Sequence, residues 1–114
     1  MSAAPPARLT RRAEFLRAAR EGRKSAEPGL VLQALRRPDA ATRLGFTATK
    51  KLGNAVVRNR AKRRLREVAR LGLAARPAPG WDLVLIAREA TVTLPFAALL
   101  EAFEAALARA GVRG

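Results

Sequence analysis

Residues 50–67 read KKLGNAVVRNRAKRRLRE, and the rest of the chain is organised around how that stretch folds. Eight of its eighteen residues are Lys or Arg, and only the last, Glu67, is acidic. From Val57 the apolar positions fall at Val57, Ala61, Leu65 and Val68. Spacings of four, four and three place them on one side of an α-helix. Arg58, Lys62, Arg63, Arg66 and Arg70 fall elsewhere around the barrel. At a rise of roughly 1.5 Å per residue, a helix over residues 55–70 is about 24 Å long. One narrow stripe can be buried, and the remainder is a rod of positive charge. A solvated helix ordinarily mixes signs to gain i,i+4 pairs. With almost no acids, these arginines repel one another until a polyanion neutralises them.

Working outward, residues 43–49 lead into the basic stretch and alternate: Leu44, Phe46 and Ala48 on one face, Arg43, Gly45, Thr47 and Thr49 on the other. That period of two predicts a strand. Residues 30–35 predict a buried strand interrupted by Gln33, after a Pro28-Gly29 turn. Residues 10–20 predict a short helix with Thr10 as its N-cap and Gly22 as its stop. Downstream, residues 71–80 read as a connector and residues 81–87 (WDLVLIA) as a central strand. Residues 96–110 predict a last helix, with Thr93 helping to cap it and Leu99, Phe103 and Leu107 at i, i+4 and i+8 facing the core. Residues 1–7 form an expected tail and residues 8–114 a single domain. The order α-β-β-α-β-α, with room for an extra short strand, predicts an α+β fold, a compact two-layer sandwich of helices on a small sheet.

A chain of 114 residues with 49% hydrophobic residues supports one packed domain. Lys and Arg total 23 against 9 Asp and Glu, a net charge of +14, which points to a nucleic acid or another anionic surface. The charge is uneven: residues 43–70 hold ten bases and one acid, whereas residues 80–114 are roughly balanced. The chain has neither His nor Cys, which removes the commonest general base, the commonest strong nucleophile and any thiolate zinc site. No catalytic and no metal-ligating residue is assigned. Glu101 and Glu104, one helical turn apart, read as a solvated face. Gly45 with Lys50-Lys51 lacks the second glycine and the Ser or Thr of a Walker loop. No secretory signal and no apolar run of membrane-spanning length is visible, so a cytoplasmic protein is expected. Guanidinium forks suit phosphate. Gly53 permits close backbone approach, and helix N-terminal amides favour an anion. Aromatics are scarce at 4%, so backbone and shape recognition are expected over base stacking.

The run Gly53, Asn54, Ala55, Val56, Arg58, Asn59, Arg60, Lys62, Arg63, Arg66 and Glu67 resembles the signature of the bacterial ribonuclease P protein component. Residues 9–22 (LTRRAEFLRAAREG), 43–51 (RLGFTATKK) and 81–87 are similar to that family's first helix, pre-signature strand and late strand. The resemblance implies a left-handed βαβ crossover around the basic helix (a ribosomal protein S5 domain 2-like fold). It implies a noncatalytic subunit of an endoribonuclease whose RNA removes the 5′ leader of precursor tRNA with Mg2+, the polypeptide holding ribonuclease P RNA and the leader. By that analogy Lys50, Lys51, Gly53, Asn54, Arg58, Asn59, Arg60, Lys62, Arg63 and Arg66 bind RNA. Phe15, Ala19, Leu32, Gln33, Thr47 and Thr49 line a leader cleft between the first helix and the sheet. Ala19 stands where many members carry a second Phe, and Gln33 lies near a common aromatic position, so the contacts are expected to lean on Thr47, Thr49, Lys50 and the arginines. The alternative is a ribosomal or general RNA-packaging protein. Arg60 and Arg63 are expected to matter far more for binding than Arg109.

Overall fold

The computed structural model describes residues 6–39 and 41–112. Five strands form one sheet: β1 (Ala7–Arg8), β2 (Arg23–Ala26), β3 (Leu30–Arg36), β4 (Arg43–Thr47) and β5 (Trp81–Ala87). Four helices accompany it: α1 (Arg12–Glu21), α2 (Ala55–Ala75), α3 (Glu89–Thr93) and α4 (Phe96–Arg109), with a 3-10 turn at Lys50–Leu52 before α2. The strand order is β1-β4-β5-β3-β2. β5 is central because it is apolar along almost its whole length; it runs antiparallel to β3 and parallel to β4. Parallel neighbours cannot be joined by a hairpin, and the connection between β4 and β5 is the basic helix α2.

Register sorts the side chains. Leu44 and Ala34 flank Leu83, and Phe46 and Leu32 flank Leu85, on one face. Gly45 and Gln33 flank Val84, and Thr47 and Val31 flank Ile86, on the other. The first face is thickly covered by α2 and α4, in a core containing Leu30, Leu32, Leu65, Val68, Leu83, Leu85, Leu99 and Phe103. The second face carries α1 alone, with a small cluster of Leu9, Ala18 and Val84 beneath Phe15 and Ile86. Gly45 makes that packing possible: a Cβ there would sit 2.5 Å from the Phe15 ring.

Arg43 fastens α1 to this thin side. Its Nε and Nη2 donate to the two carboxylate oxygens of buried Asp82 at 2.8 and 2.7 Å. Its Nη1 reaches Glu14, and Arg37 approaches Asp82 at 3.6 Å. Glu14 Oε1 in turn accepts from the backbone N–H groups of Arg11 and Thr10 at 3.0 and 3.2 Å. Those amides first, and Arg43 second, hold the Glu14 carboxyl below its ordinary pKa. Asp82, and then Glu14, push the Arg43 guanidinium upward.

Several boundaries differ from the sequence expectation. The cap of α1 is the Glu14 carboxylate, not the Thr10 hydroxyl. Ala7, the last residue of the expected tail, pairs with Arg43 in β1; residues 1–5 lie outside the described residues. β2 is the extra short strand. α2 continues through residues 71–75, into the expected connector, and Gly72 there serves packing: a Cβ would lie 2.7 Å from the Phe103 ring of α4. β4 ends at Thr47, leaving Ala48 and Thr49 outside the sheet. Thr93 closes the unforeseen α3 instead of capping α4. α3 is pinned by buried Thr91, whose hydroxyl accepts from Arg88 N at 2.8 Å and donates to Gly29 O at 2.5 Å.

Candidate nucleic-acid interface

The basic helix begins at a glycine for a conformational reason. Gly53 has φ 149° and ψ −163°, a region that side chains strain. An added Cβ would also meet Val57 at 3.2 Å. Asn54 follows as the N-cap, its Oδ1 accepting from Val57 N at 3.0 Å. The asparagine read as an RNA donor is therefore first a helix-starting residue. Lys50 and Lys51 are exposed on the turn just before it.

The roll of α2 about its axis is set by two contacts on one flank. Gly72 receives Phe103 of α4. Arg64 donates from Nη1 to Thr91 O and Val92 O at 2.7 and 2.9 Å, and from Nη2 to Leu94 O at 2.5 Å. Ala61, Leu65, Val68 and Ala69 face the sheet. At about 100° per residue, Asn59, Lys62 and Arg66 lie on the flank opposite Arg64, and Arg60 and Arg63 point outward. Asn59, Arg60, Arg63 and Arg66 are exposed, while Arg58 and Lys62 are half-buried. Among the described residues none of the cations at 58, 60, 62, 63 and 66 forms an ion pair; the Nε of Arg58 is buried without an acceptor. The acid at the end of the run is occupied locally: Glu67 holds Arg70, which lowers the pKa of the carboxyl and raises that of the guanidinium.

The second predicted cluster divides. Phe15, Gln33 and Thr47 share the thin side of the sheet, each half-buried, and Ala19 is exposed one turn beyond Phe15. Leu32 does not belong with them. It is fully buried on the opposite face, against the α2–α4 core, because adjacent strand residues point to opposite sides. Thr49 is exposed beyond the end of β4, and its carbonyl accepts from Leu52 N at 3.0 Å. It groups with Lys50 and Lys51 at the mouth of the cleft, not on its floor. Val31 and Ile86 were missed. They sit half-buried on the same face as Gln33 and Thr47, and counting by twos from Gln33 finds Val31.

The acids are mostly held by arginines: Glu14 and Asp82 by Arg43, and buried Glu27 by Arg109 at 2.8 Å. Among the described residues no three acidic side chains converge as a metal site, and no helix is long and apolar enough to cross a membrane.

An α+β scaffold with unpaired cations along one exposed helix flank, beside a half-covered sheet, defines a polyanion-binding protein of the RNA-associated class. The family model for ribonuclease P matches residues 4–111. A relative from Gluconacetobacter diazotrophicus, the ribonuclease P protein component, is 56% identical over 108 residues, covering 94% of this chain and 93% of that one. The component from Symbiobacterium thermophilum is 44% identical, covering 92% and 91%. The solved ribonuclease P protein of Staphylococcus aureus superposes with a TM-score of 0.80 at 28% identity, covering 96% of this chain and 100% of that one. That of Thermotoga maritima gives 0.78 at 29%, covering 94% and 98%.

The chain belongs to the ribonuclease P protein family. It is a tRNA-processing subunit of a ribonucleoprotein endoribonuclease, and its partner in that particle is an RNA.

Proposed function

We propose that the outer flank of α2, with Lys50, Lys51 and the Gly53-Asn54 entry, holds ribonuclease P RNA, and that the thin side of the sheet receives the 5′ leader of precursor tRNA. One observation carries this reading. The unpaired cations run from the turn at Lys50 to Arg66, and the turn joins them, through Thr49 and Thr47, to the strip of sheet that α1 leaves uncovered. A single strand laid on that strip meets Phe15, Gln33 and Thr47, and its phosphates leave it at the lysines. The floor offers a hydroxyl, an amide and one aromatic ring, which suits backbone contact more than stacking. The hydrolysis belongs to the RNA, with Mg2+ held mainly by it, in the cytoplasm. The arginine-held acids of the polypeptide leave it the work of binding and positioning.

The test mixes the chain with ribonuclease P RNA and measures precursor tRNA cleavage against Mg2+ concentration. The chain is expected to lower the Mg2+ requirement and to bind precursor tRNA more tightly than mature tRNA. Equal affinity for the two would instead indicate a general RNA-packaging protein, and an unchanged Mg2+ requirement would reject the subunit role as described.

A further inference from the structure

A second concave site lies on the other face of the sheet and at its other end. It is a pocket of about 390 Å³ where β2, β3 and β5 meet the C-terminus of α4, and Glu21, Arg23, Arg36, Trp81 and Gly111 line it. Arg36 pairs with Trp81 across the strands, and Arg23 pairs with Ala34, two residues before Arg36. Register therefore puts Arg23, Arg36 and Trp81 on one face within neighbouring strand spacings of about 4.8 Å. Trp81 begins β5 and Ile86 lies near its end, so the pocket is roughly 17 Å along the strand from the leader strip.

Three features point to a ligand. Trp81 is 6% exposed, so its ring is a fixed wall of the pocket. The Arg36 guanidinium lies over the Trp81 ring, 5.5 Å from its centroid, a stacking that leaves the edge of the fork available for an anion. Arg23 reaches across to the α4 terminus, where its Nη1 would be 3.1 Å from a Cβ at Gly111. Gly111, at φ 76°, thus makes the room that Arg23 occupies. Neither guanidinium is ion-paired among the described residues, in contrast to Arg37, Arg43 and Arg109. The one acid on the wall, Glu21, is engaged by Arg17 at 3.5 Å. Two unpaired cations against one engaged carboxylate select an oxyanion with several acceptor oxygens.

We propose that this pocket is a phosphate-binding site, formed by Arg23 and Arg36 against the Trp81 ring and separate from the α2 flank and the leader strip. The phosphate comes either from a polynucleotide backbone or from a free phosphate compound. Trp81 is the only Trp and the chain has no Tyr, so its emission reports on this pocket.

The intact chain is titrated with sodium phosphate at constant ionic strength, and separately with a short single-stranded RNA. A saturable change in Trp81 emission is expected. Arg36→Gln, at an exposed position that leaves the core untouched, is expected to raise the half-saturating concentration about tenfold or more, as loss of a charge-assisted hydrogen bond does; Arg23→Gln is expected to act in the same direction. An RNA response that Arg36→Gln weakens identifies a polynucleotide phosphate. A response to inorganic phosphate with silence toward RNA identifies a free one. No saturable change with either ligand, or a response that Arg36→Gln leaves unaltered, overturns the proposal.

Discussion

Two populations of arginine divide this molecule. Those at 37, 43, 64, 88 and 109 meet carboxylates or carbonyls of the protein. Those at 60, 63 and 66, on the free flank of α2, meet none among the described residues, and Arg58 is half-buried with its Nε lacking an acceptor. Net charge does not separate them, and neither does position in the chain: Arg63 and Arg64 are neighbours with opposite duties. A guanidinium facing carbonyls that end a helix holds the fold, whereas one facing water beside others of its kind awaits an anion. Basic composition therefore overstates the binding surface.

The largest effect expected from this division is on stability. Arg43→Ala leaves Asp82 buried without its bidentate partner and is expected to cost about 3 kcal/mol, measured by urea unfolding. Arg64→Ala, which removes three charge-assisted bonds to the end of α3, is expected to cost about 2 kcal/mol. If either variant unfolds like the parent while losing RNA affinity, the division is wrong. Arg60→Ala combined with Arg63→Ala should do the reverse. Unfolding is unchanged, RNA affinity drops about tenfold or more, and the log–log salt slope becomes shallower by roughly 1.4 for a single strand. Arg109 sharpens the contrast. Read from the sequence as an idle control, it pairs with buried Glu27, so Arg109→Ala is expected to lower stability while sparing affinity. The smallest effect concerns pH. The chain has no His and no Cys, so affinity is expected to stay flat between about pH 6 and 9. The Glu14 pKa is lowered in the fold, so its contribution is present at neutral pH and lost as pH falls below about 4. Glu14→Gln should flatten that acid limb of the stability curve.

The start of the basic helix was legible because Gly53 and Asn54 are a backbone requirement and a cap, both local. Its end was not: residues 71–80 read as a connector until Phe103, thirty-one residues after Gly72, is seen to pack against that glycine. The central strand was legible from its apolar run, whereas β1 has only two residues and exists through its pairing with Arg43 and Leu44. In the candidate site, the cation flank followed from helical period alone. The cleft did not, because Leu32 and Gln33 are adjacent and only register against Val84 and Leu85 tells which of them faces α1. Arg64 was indistinguishable in sequence from its basic neighbours, since its partners are carbonyls 27 to 30 residues away.

The clamp at Arg64 reaches beyond stability. By gripping three carbonyls it resists rotation of α2 about its own axis and holds the free flank at one angle to the sheet. On the proposed reading, an incoming RNA meets a surface already set by the fold. Its capture should then be limited by diffusion and ionic atmosphere, without a slow conformational phase at high RNA concentration.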